Sequence, residues 1–466
     1  MRELLILCLL LIVSLAQNVF NLSGRPDRGY YLPVSVGTPP SHFQLLLDTG
    51  SSNFALAAYN DVNITSFFNT STSSTFNSNN ESISVNYTQG HWKGILGNDV
   101  VSLSGNSFPI KSDIEMIQES EGFFMNGTIW QGILGLAYKS IAVATDNMHI
   151  PQPYFDSLVQ KAGIADGFSL LLCGAADGLF SDNIAMGGKL TVGAIDSSQY
   201  KGELYKATIV ERKFYQLLIT DIQVEGDTLG LPCVDYNSPS TILDSGTTNL
   251  RLPTKVFDAL IIRLKASYSQ SQSNLNLDDK FWEGTSLLCL THASEPFSYF
   301  PSVQLKLISD QELTITLNIS PQLYLRPVES SEPGRDCYSL GITSHTATIL
   351  GAVIMEGFYV YFDRENGTVS FGETTCTPRL GNSSLSSVTG YDTTSLGLSE
   401  CQAKQEAFSG LPAYAIALIV VGSLVLVIVL LVAIIKLANN IKQKRRKTRM
   451  DIAFDELMDD SFNTGY

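Results

Sequence analysis

The sequence predicts a mainly β protein with two related lobes and one C-terminal transmembrane helix. Short alternating stretches, such as Tyr30 to Val36 and Val303 to Leu307, are typical of strands. Helical spacing occurs chiefly in Tyr154 to Lys161 and Lys255 to Tyr268. A segment of the first half recurs in the second half, and a long apolar run lies near the C-terminus. These two features predict the lobes and the membrane helix.

Composition and charge exclude several classes of protein. The chain has 466 residues, of which 44% are hydrophobic and 16% charged, a balance that excludes a largely disordered chain and a coiled coil. The formal net charge of −15 argues against nucleic-acid binding, which needs a basic face. The one dense basic run, Lys442 to Arg449, follows the C-terminal apolar run and indicates a membrane surface.

The N-terminal apolar run, Leu4 to Leu15, is too short to span about 30 Å of hydrocarbon. Arg2 precedes this run and the small residue Ala16 follows it. Residues 1–16 are therefore predicted to be a cleaved signal peptide, with a buried hydrophobic helix as the alternative. Residues 17–28 are expected to form a short N-terminal segment.

The second apolar run predicts a transmembrane helix over residues 412–435, because no charged residue occurs between Glu406 and Lys436. Residues 402–411 are predicted to be a stem before the helix. Lys and Arg are frequent directly after it, so residues 436–466 are predicted to be a cytoplasmic tail. The chain is therefore expected to be a single-pass type I membrane protein of the secretory pathway, Golgi, endosome or cell surface.

Six cysteines precede the membrane helix once Cys8 leaves with the signal peptide, and the tail has none. In an oxidising compartment these six predict three disulfides, although six cysteines allow 15 connectivities. No pair forms a C-x-x-C motif, so zinc and redox sites have little support. The six are Cys173, Cys233, Cys289, Cys337, Cys376 and Cys401.

Sequons for N-glycosylation occur before the membrane helix and not after it, which fits a luminal or extracellular surface. Two of them stand at Asn21 and Asn86. The predicted glycan acceptors are Asn63, Asn69, Asn80, Asn126, Asn318, Asn366 and Asn382.

An internal repeat is the most informative feature of the sequence. Leu45 to Asn53 reads LLLDTGSSN, and Thr241 to Asn249 reads TILDSGTTN. A second piece, Ile-Leu-Gly, follows each copy at Ile133 to Gly135 and at Ile349 to Gly351. A single D-[ST]-G motif is an ordinary turn sequence. Two copies with matching flanks and a matching second piece predict two halves that carry the same elements in the same order.

The repeat places one aspartate in each half, Asp48 and Asp244. If the halves pack about a pseudo-twofold axis, the two carboxyl groups meet at the ends of buried strands. Two such groups a few ångströms apart share a proton, because ionising both is costly. One then takes a proton from water while the protonated one polarises a carbonyl oxygen. Water can thus add to the carbonyl without a covalent enzyme intermediate.

Residues beside the aspartates are predicted to support them. Gly50 and Gly246 are expected to let the backbone turn tightly beside each carboxyl group. The hydroxyl groups of Ser51 and Thr247 are placed to hydrogen-bond the outer carboxylate oxygens and to hold the two carboxyl groups coplanar. Such a pair activates water without a cofactor or a metal ion, so neither is expected.

These motifs resemble the pepsin-like aspartic proteases and, among them, the membrane-anchored β-secretase (memapsin) group. The matches spread from about residue 21 to residue 401. Proton sharing between the two aspartates is the known behaviour of this family. The matching segments include Gly29 to Tyr31, Val36 to Pro40, Asp48 to Phe54, Tyr87 to Gly90, Asp244 to Pro253, Tyr324 to Val328 and Gly351 to Tyr359.

The resemblance implies a bilobal pepsin-like fold, with an N-terminal lobe at residues 29–197 and a C-terminal lobe at residues 198–401. It also implies an aspartic endopeptidase that cleaves membrane or secretory-pathway proteins at acidic pH, with membrane-tethered proteins as expected substrates. The disulfides that the family's pattern implies are Cys173–Cys376, Cys233–Cys401 and Cys289–Cys337.

The resemblance assigns further residues to substrate binding. Tyr87 matches the tyrosine of a β-hairpin flap that closes over the substrate, and Ile83 to Val101 reads as such a hairpin. Trp92 either backs this tyrosine or is an ordinary core residue. Arg251 matches an arginine of a substrate side-chain pocket, with a surface ion pair as the alternative. The remaining predicted substrate contacts are Thr88, Gln89 and Thr248.

The sequence departs from the family's pattern in three places. Residues 17–28 leave room for only a very short pro-segment, and Arg25 to Arg28 fits a basic processing site or, as we favour, part of the mature N-terminus. Asn86 makes a sequon where the family usually has proline, and alternation along a strand points its side chain away from the cleft. The tail has no clean acidic dileucine and no cysteine, so binding to sorting machinery is expected only by analogy.

Two other functions fit parts of the sequence. A catalytically silent receptor on a protease-like fold has no chemical need to keep Asp48 and Asp244 with their hydroxyl partners. A serine or zinc hydrolase needs a motif such as G-x-S-x-G or H-E-x-x-H, and neither occurs. The sequence therefore favours an active endopeptidase that acts on proteins.

Overall fold

The computed structural model of the protein falls into two compact units, Met1–Ala403 and Lys404–Tyr466. The described residues of the first unit are 19–402 except 26–27, 175–186, 272–274, 276, 292–295, 310–312, 329–333, 378–384 and 394–397. Those of the second are 430, 434, 436, 437, 441, 442 and 444.

Several predicted segments lie outside the described residues. They are the signal peptide at 1–16, all of the stem except residue 402, most of the transmembrane helix and tail, and the sequon at Asn382. Among the residues that the structure describes, no helix combines the length and the apolar character needed to cross a membrane.

Strands dominate the first unit, as the alternating sequence predicts. The strands of the first half are β1 (Val19–Arg25), β2 (Gly29–Val36), β3 (Ser41–Asp48), β4 (Phe54–Ala57), β5 (Asn77–Asn86), β6 (His91–Leu103), β7 (Ser107–Glu121), β8 (Gly132–Gly135), β9 (Gly167–Leu172) and β10 (Gly188–Val192). Those that follow are β11 (Tyr200–Thr208), β12 (Glu211–Arg212), β13 (Tyr215–Gln216), β14 (Ile219–Val224), β15 (Asp227–Thr228), β16 (Thr241–Leu243), β17 (Leu250–Pro253), β18 (Leu288–Thr291), β19 (Val303–Ile308), β20 (Leu313–Ile319), β21 (Leu325–Val328), β22 (Arg335–Leu340), β23 (Ile342–His345), β24 (Thr348–Leu350), β25 (Phe358–Asp363), β26 (Thr368–Thr374) and β27 (Ser386–Thr393).

Helices are few and mostly short within the described residues of the first unit. The α-helices are α1 (Tyr154–Ala162), α2 (Cys233–Asn237), α3 (Thr254–Gln270), α4 (Asp279–Trp282), α5 (Pro321–Tyr324), α6 (Ala352–Met355) and α7 (Leu398–Cys401). Short 3₁₀ helices span Thr70–Thr72, Ser104–Asn106, Lys139–Ile141, Ser197–Gln199 and Phe297–Tyr299. The two segments with helical spacing in the sequence form α1 and α3, which bury their apolar faces in the core.

The strands form four sheets. A 13-stranded sheet has the order β11-β26-β25-β9-β10-β1-β2-β3-β8-β4-β7-β6-β5. A six-stranded sheet has the order β12-β13-β16-β24-β17-β23, a five-stranded sheet β15-β14-β19-β20-β27, and a three-stranded sheet β18-β22-β21. The largest sheet contains strands from both ends of the unit, because β25 pairs with β9 and places Val360 opposite Leu170.

One strand arrangement occurs twice. In the first half, β8 lies between β3 and β4, parallel to β3 and antiparallel to β4, and β4 is parallel to β7. In the second half, β24 lies in the same way between β16 and β17, and β17 is parallel to β23. The sequence repeat is therefore also a repeat of strand topology. Each aspartate of the repeat stands at the C-terminal end of the first strand of its set.

Three disulfides close long loops of the first unit: Cys173–Cys376, Cys233–Cys401 and Cys289–Cys337. They confirm the pairing that the family resemblance implied. The second joins α2 to α7, and the third joins facing residues of β18 and β22.

Candidate active site

Asp48 and Asp244 lie together at the centre of the two repeated strand sets. Asp48 is the last residue of β3 and Asp244 directly follows β16. They are only 6% and 8% exposed, respectively. Each aspartate follows a buried leucine at the end of its strand, Leu47 or Leu243, so the chain carries each carboxyl group into the interior.

The two carboxyl groups have matching hydrogen bonds. The Gly50 N–H donates to Asp48 Oδ1 over 2.8 Å, and the Ser51 hydroxyl donates to Oδ2 over 2.5 Å. In the second half, the Gly246 N–H donates to Asp244 Oδ1 over 2.8 Å. The Thr247 hydroxyl donates to Asp244 Oδ2 over 2.7 Å. The hydroxyl groups predicted beside the aspartates therefore fix the orientation of both carboxyl planes.

The middle residues of the two motifs exchange hydrogen bonds across the junction of the halves. The Thr49 hydroxyl donates to the Leu243 carbonyl over 2.9 Å and accepts from the Ser245 N–H over 2.9 Å. The Ser245 hydroxyl donates to the Leu47 carbonyl over 2.8 Å and accepts from the Thr49 N–H over 3.1 Å. Sequence reasoning missed this role, although the signal was present: both motifs carry a hydroxyl residue directly after the aspartate.

Gly50 and Gly246 stand where the opposite carboxyl group comes closest. A Cβ atom on Gly50 would lie 2.6 Å from Cγ of Asp244, and one on Gly246 would lie 2.5 Å from Oδ1 of Asp48. Neither glycine is among the residues with positive φ. Close approach of the two halves, rather than the backbone freedom expected from the sequence, therefore explains why both positions are glycine.

The Ile-Leu-Gly pieces close the same strand sets. A Cβ atom on Gly135 would lie 2.6 Å from the Ser51 carbonyl oxygen, and one on Gly351 would lie 2.5 Å from the Thr247 carbonyl oxygen. Each glycine thus lets β8 or β24 pack directly against the segment that follows its aspartate.

The environment of the pair favours one shared proton. Burial raises the pKa of the Asp48 carboxyl well above its usual range, and the charge of Asp244 together with a hydrogen bond between the two groups raises it further. The hydrogen bonds from Ser51 and Gly50 oppose this shift. Since one proton held between two carboxyl groups relieves their repulsion, the pair is suited to combined acid and base chemistry.

The predicted flap is a hairpin of β5 and β6, in which Val85 faces Trp92. Its four-residue turn runs from Tyr87 to Gly90, and the Tyr87 N–H donates to the Gly90 carbonyl over 3.0 Å. Gly90 has φ +76° and packs so tightly that a Cβ atom would lie 2.4 Å from the Phe123 nitrogen. Since β5 ends at Asn86, Tyr87 belongs to the turn of the hairpin predicted over Ile83 to Val101.

The Tyr87 ring stacks on Phe123, with ring centroids 5.4 Å apart. Burial raises the pKa of its phenol, and the negative charges of Asp48 and Glu115 raise it further. The tyrosine side chain thus lies within the electrostatic field of the aspartate pair. Trp92 is fully buried in the apolar cluster against which Tyr87 packs.

The other predicted substrate contacts are Thr88 and Gln89 on the flap turn and Thr248 after Asp244. Thr88 and Gln89 are exposed on the turn, and Gln89 Nε2 lies 2.7 Å from Met125 Sδ. The Thr248 carbonyl accepts from the Val353 N–H over 3.0 Å at the start of α6. None of these side chains hydrogen-bonds to either aspartate within the described part of the chain.

Arg251 is half-buried on β17, where it faces Thr343 of β23 and Ile349 of β24. No carboxylate of the described residues lies within ion-pair distance of its guanidinium group. The surface ion pair considered as an alternative is therefore not seen among the described residues.

Sequence reasoning also missed Glu115, a buried residue of β7. Asn53 Nδ2 donates to Glu115 Oε1 over 2.8 Å, five residues after Asp48 in the chain. Burial raises the pKa of Glu115 to about 8. The alternating charges of β7 resemble those of a solvated strand face, so no signal in the sequence marked this carboxyl group as buried.

Residues 29–374 match the family model described as eukaryotic aspartyl protease. The chain belongs to this family. It is 41% identical over 386 residues to a beta-secretase of Strongylocentrotus purpuratus, an alignment that covers 78% of this chain and 70% of the relative. The chain is thus an aspartic endopeptidase with a pepsin-like, mainly β fold, and it falls in the β-secretase-like group.

More distant relatives include the digestive members of the family. The chain is 27% identical over 366 residues to pepsin-2B of Gadus morhua, covering 75% of this chain and 97% of the relative. It is 28% identical over 362 residues to chymosin of Ovis aries, an alignment that covers 76% of this chain and 82% of the relative.

Proposed function

We propose that the protein is a type I membrane-anchored aspartic endopeptidase that hydrolyses peptide bonds of membrane or secretory-pathway proteins at acidic pH. The observation that carries this proposal is the buried pair Asp48 and Asp244, each held by its own glycine N–H and hydroxyl donor. The two repeated strand sets supply this geometry, and the proposed lobes, residues 29–197 and 198–401, follow the same duplication.

The reaction we propose uses the two carboxyl groups in different protonation states. One of the two carboxyl groups holds the shared proton and donates it to the carbonyl oxygen of the substrate. The other carboxyl group, ionised, takes a proton from water, and the water oxygen adds to the carbonyl carbon. The resulting diol then returns a proton to the first carboxyl group while the second protonates the departing nitrogen. The peptide bond breaks and the pair is restored to its starting state.

The flap supplies the cover for this reaction. Tyr87, Thr88 and Gln89 form its turn, and the phenol of Tyr87 lies within the electrostatic field of Asp48. Closure over a bound peptide excludes water and strengthens the electrostatic interactions of the pair.

In this proposal, Arg251 helps to select which substrate side chain is bound. Its guanidinium group has no carboxylate partner among the described residues, and it carries donors in a fork that matches a carboxylate. We expect Arg251 and the nearby Thr248 to favour a polar or acidic substrate side chain.

We also propose that the enzyme belongs to the secretory pathway. The proposed signal peptide at 1–16 and transmembrane helix at 412–435 leave the catalytic unit luminal or extracellular, with the tail at 436–466 available to sorting machinery. Of the sequons, Asn69, Asn80, Asn126 and Asn366 are exposed, which supports their proposed glycosylation. Confinement at the bilayer raises the effective concentration of substrates that are themselves anchored.

The test is peptide cleavage by the purified full-length protein from pH 3.5 to pH 7.5, beside Asp48→Asn and Asp244→Asn. We expect an acidic optimum and loss of cleavage in both variants. If a correctly disulfide-bonded protein cleaves nothing, the result would favour the alternative function, a catalytically silent protease-like receptor.

A further inference from the structure

Tyr30 and Tyr215 are fully buried residues that the proposed reaction does not use. Tyr30 lies on β2 and Tyr215 lies on β13. Strand β2 pairs antiparallel with β3, the strand that ends at Asp48, and β13 pairs antiparallel with β16, the strand directly before Asp244. The two tyrosines therefore lie on corresponding strands of the two repeated sets.

The register of these strands makes the positions of the two tyrosines equivalent. In each half, the residue directly after the tyrosine faces the residue that stands two positions before the aspartate. Tyr31 faces Leu46 in the first half, and Gln216 faces Ile242 in the second. The duplication thus supplies one tyrosine at the same place in each half.

The hydroxyl group of each tyrosine reaches into the opposite half. The Tyr215 hydroxyl donates to the Leu136 carbonyl over 2.5 Å, and the Tyr30 hydroxyl donates to Glu356 Oε1 over 2.5 Å. Leu136 and Glu356 both lie in the segment that follows the Ile-Leu-Gly piece of their half. Burial raises the pKa of both phenols, so both remain donors at the acidic pH at which the enzyme is expected to work.

The segment that accepts from Tyr215 also holds the backbone around the first aspartate. The Leu136 N–H donates to the Asp48 carbonyl over 2.8 Å, and the Ala137 N–H donates to the Ser51 carbonyl over 2.9 Å. Leu136 therefore links Tyr215 to Asp48 through its own carbonyl and N–H groups.

In the second half, the corresponding link runs through α6. The Ala352 N–H at the start of α6 donates to the Thr247 carbonyl over 2.7 Å, and the Thr247 hydroxyl holds Asp244. Glu356 directly follows α6, and its N–H donates to the Ala352 carbonyl over 2.8 Å. Tyr30 is therefore linked to Asp244 through one turn of helix.

The link from Tyr30 has an additional support. Arg326 Nη1 donates to Glu356 Oε2 over 2.5 Å, and Arg326 Nη2 donates to Oε1 over 3.0 Å. Without the Tyr30 hydroxyl, Glu356 would still be held by this ion pair. Tyr215, in contrast, donates directly to the backbone of the residue that holds Asp48.

We propose that Tyr30 and Tyr215 are positioning residues that fix the separation of the two catalytic carboxyl groups. Each hydroxyl group anchors the segment behind the aspartate of the opposite half, in addition to the exchange of hydrogen bonds between Thr49 and Ser245. This role deepens the proposed function and rests on it, because it concerns the geometry of the same aspartate pair.

The first test measures kcat and KM of the full-length protein on one peptide at the acidic optimum, beside Tyr215→Phe and Tyr30→Phe. Each change removes one oxygen atom and keeps the buried ring. We expect kcat to fall about tenfold in Tyr215→Phe and about threefold in Tyr30→Phe, because displacement of reacting groups by a fraction of an ångström slows the reaction. KM should change less than about twofold, since the lost positioning acts in the transition state.

Tyr324→Phe is the matched control. The Tyr324 hydroxyl donates to the Pro301 carbonyl over 2.6 Å, and both residues are buried within the second half. The variant loses the same kind of buried phenol-to-carbonyl hydrogen bond, so its Tm should fall about as far as that of Tyr215→Phe while kcat stays unchanged. An equal loss of kcat in Tyr324→Phe and Tyr215→Phe would overturn the proposal, as would natural kcat in both Tyr215→Phe and Tyr30→Phe.

The pH profile of kcat provides a second measurement that lost stability alone would not change. Burial raises the pKa of Asp48, and the negative charge of Asp244 raises it further. The contribution of this charge weakens as the two carboxyl groups move apart. The limb on which the shared proton is lost should therefore move to lower pH in Tyr215→Phe and stay in place in Tyr324→Phe. An unshifted limb in Tyr215→Phe would contradict the proposed role.

The two phenylalanine variants test separate links, so if one fails to fold, the other decides. If neither folds, Glu356→Asp takes their place, because its shorter side chain draws the carboxylate back from Tyr30 and keeps the charge that Arg326 pairs with. We expect a lower kcat and a shifted pH limb in this variant as well. A Glu356→Asp enzyme with natural kcat and a natural pH profile would overturn the proposal.

These outcomes separate the two levels of the proposal. Persistent activity of Asp48→Asn overturns the proposed function itself. An inactive Asp48→Asn together with natural kcat in Tyr215→Phe and Tyr30→Phe overturns only the role of the two tyrosines.

Discussion

The hydroxyl groups of Thr49 and Ser245 each donate a hydrogen bond to a backbone carbonyl of the opposite half. Each hydroxyl oxygen also accepts a hydrogen bond from the backbone N–H of the other residue. Both residues are fully or almost fully buried. This reciprocal exchange fixes the distance between the segments that carry Asp48 and Asp244, so the spacing of the carboxyl pair is a property of the junction between the halves.

Thr49→Val should destabilise the protein, because the isosteric side chain leaves the Leu243 carbonyl and the Ser245 N–H without partners. We expect a loss of about 1–3 kcal/mol of unfolding free energy for each orphaned group. Urea unfolding monitored by fluorescence measures it. Thr254→Val, which removes an exposed hydroxyl group, is the control and should change little. Equal stability of the two variants would contradict this role of Thr49.

Gly50→Ala should abolish most activity while the protein still folds. The added Cβ would lie 2.6 Å from Cγ of Asp244, so the two carboxyl groups must separate. Misplacement on the scale of 1 Å costs about 100-fold in rate, and the loss should appear in kcat. Gly202→Ala is the control: nothing lies within 4 Å of its Cβ, but φ is +72°, so it should lower stability and not activity. A Gly50→Ala enzyme with normal kcat would refute the argument.

Asp48→Asn should be inactive and yet more stable than the natural protein at pH 7. The folded pKa of Asp48 is raised above its usual value of 3.8, so the folded state binds the proton more tightly than the unfolded state does. The stabilisation from this group is complete below that value and is lost as the pH rises through the raised pKa. Asparagine cannot ionise, so thermal unfolding of the variant should depend less on pH between 4 and 8. A lower Tm for Asp48→Asn at pH 7 would count against the raised pKa.

Arg326→Leu should be among the most destabilising single changes. Arg326 Nη1 lies 2.5 Å from Glu356 Oε2, both side chains are nearly inaccessible, and the Tyr30 hydroxyl donates to Glu356 Oε1 over 2.5 Å. Removing the cation leaves a buried carboxylate without its ion pair, which costs about 3–5 kcal/mol. Lys265→Leu breaks an ion pair with the largely exposed Asp279 and should lower stability far less, because solvent screens such a pair. Denaturant titration of both variants makes the comparison.

The sequence predicts much of the fold and the centre of the site, for identifiable reasons. The repeat brings Asp48 and Asp244 into equivalent positions because duplicated strand sets carry their ends to the same place. Helical spacing predicted α1 and α3 within a few residues at each end. The disulfide pairing came from family resemblance alone, because spacing cannot choose among the possible connectivities.

The site features that the sequence does not predict depend on which face of a strand is buried and on how closely the two halves approach each other. Glu115 and Glu119 are an even number of residues apart on β7, but the strand register shifts between Ile117 and Glu119, so Glu115 is buried and Glu119 is exposed. The reason for glycine at position 50 lies in the other half of the chain, at Asp244. Neither relationship can be read from local sequence.

Because β9 pairs with β25, one edge of β9 stays uncovered during synthesis of the chain until β25 has been made. Strand β9 is buried along its whole length, and its partner is made only after about 190 further residues have been added. At 5–20 residues per second, its open edge is uncovered for about 10–40 s during each round of synthesis. An apolar strand with free backbone groups is a template for intermolecular pairing. The time taken by translation, not the speed of folding, therefore limits how soon a nascent chain can cover this edge of β9.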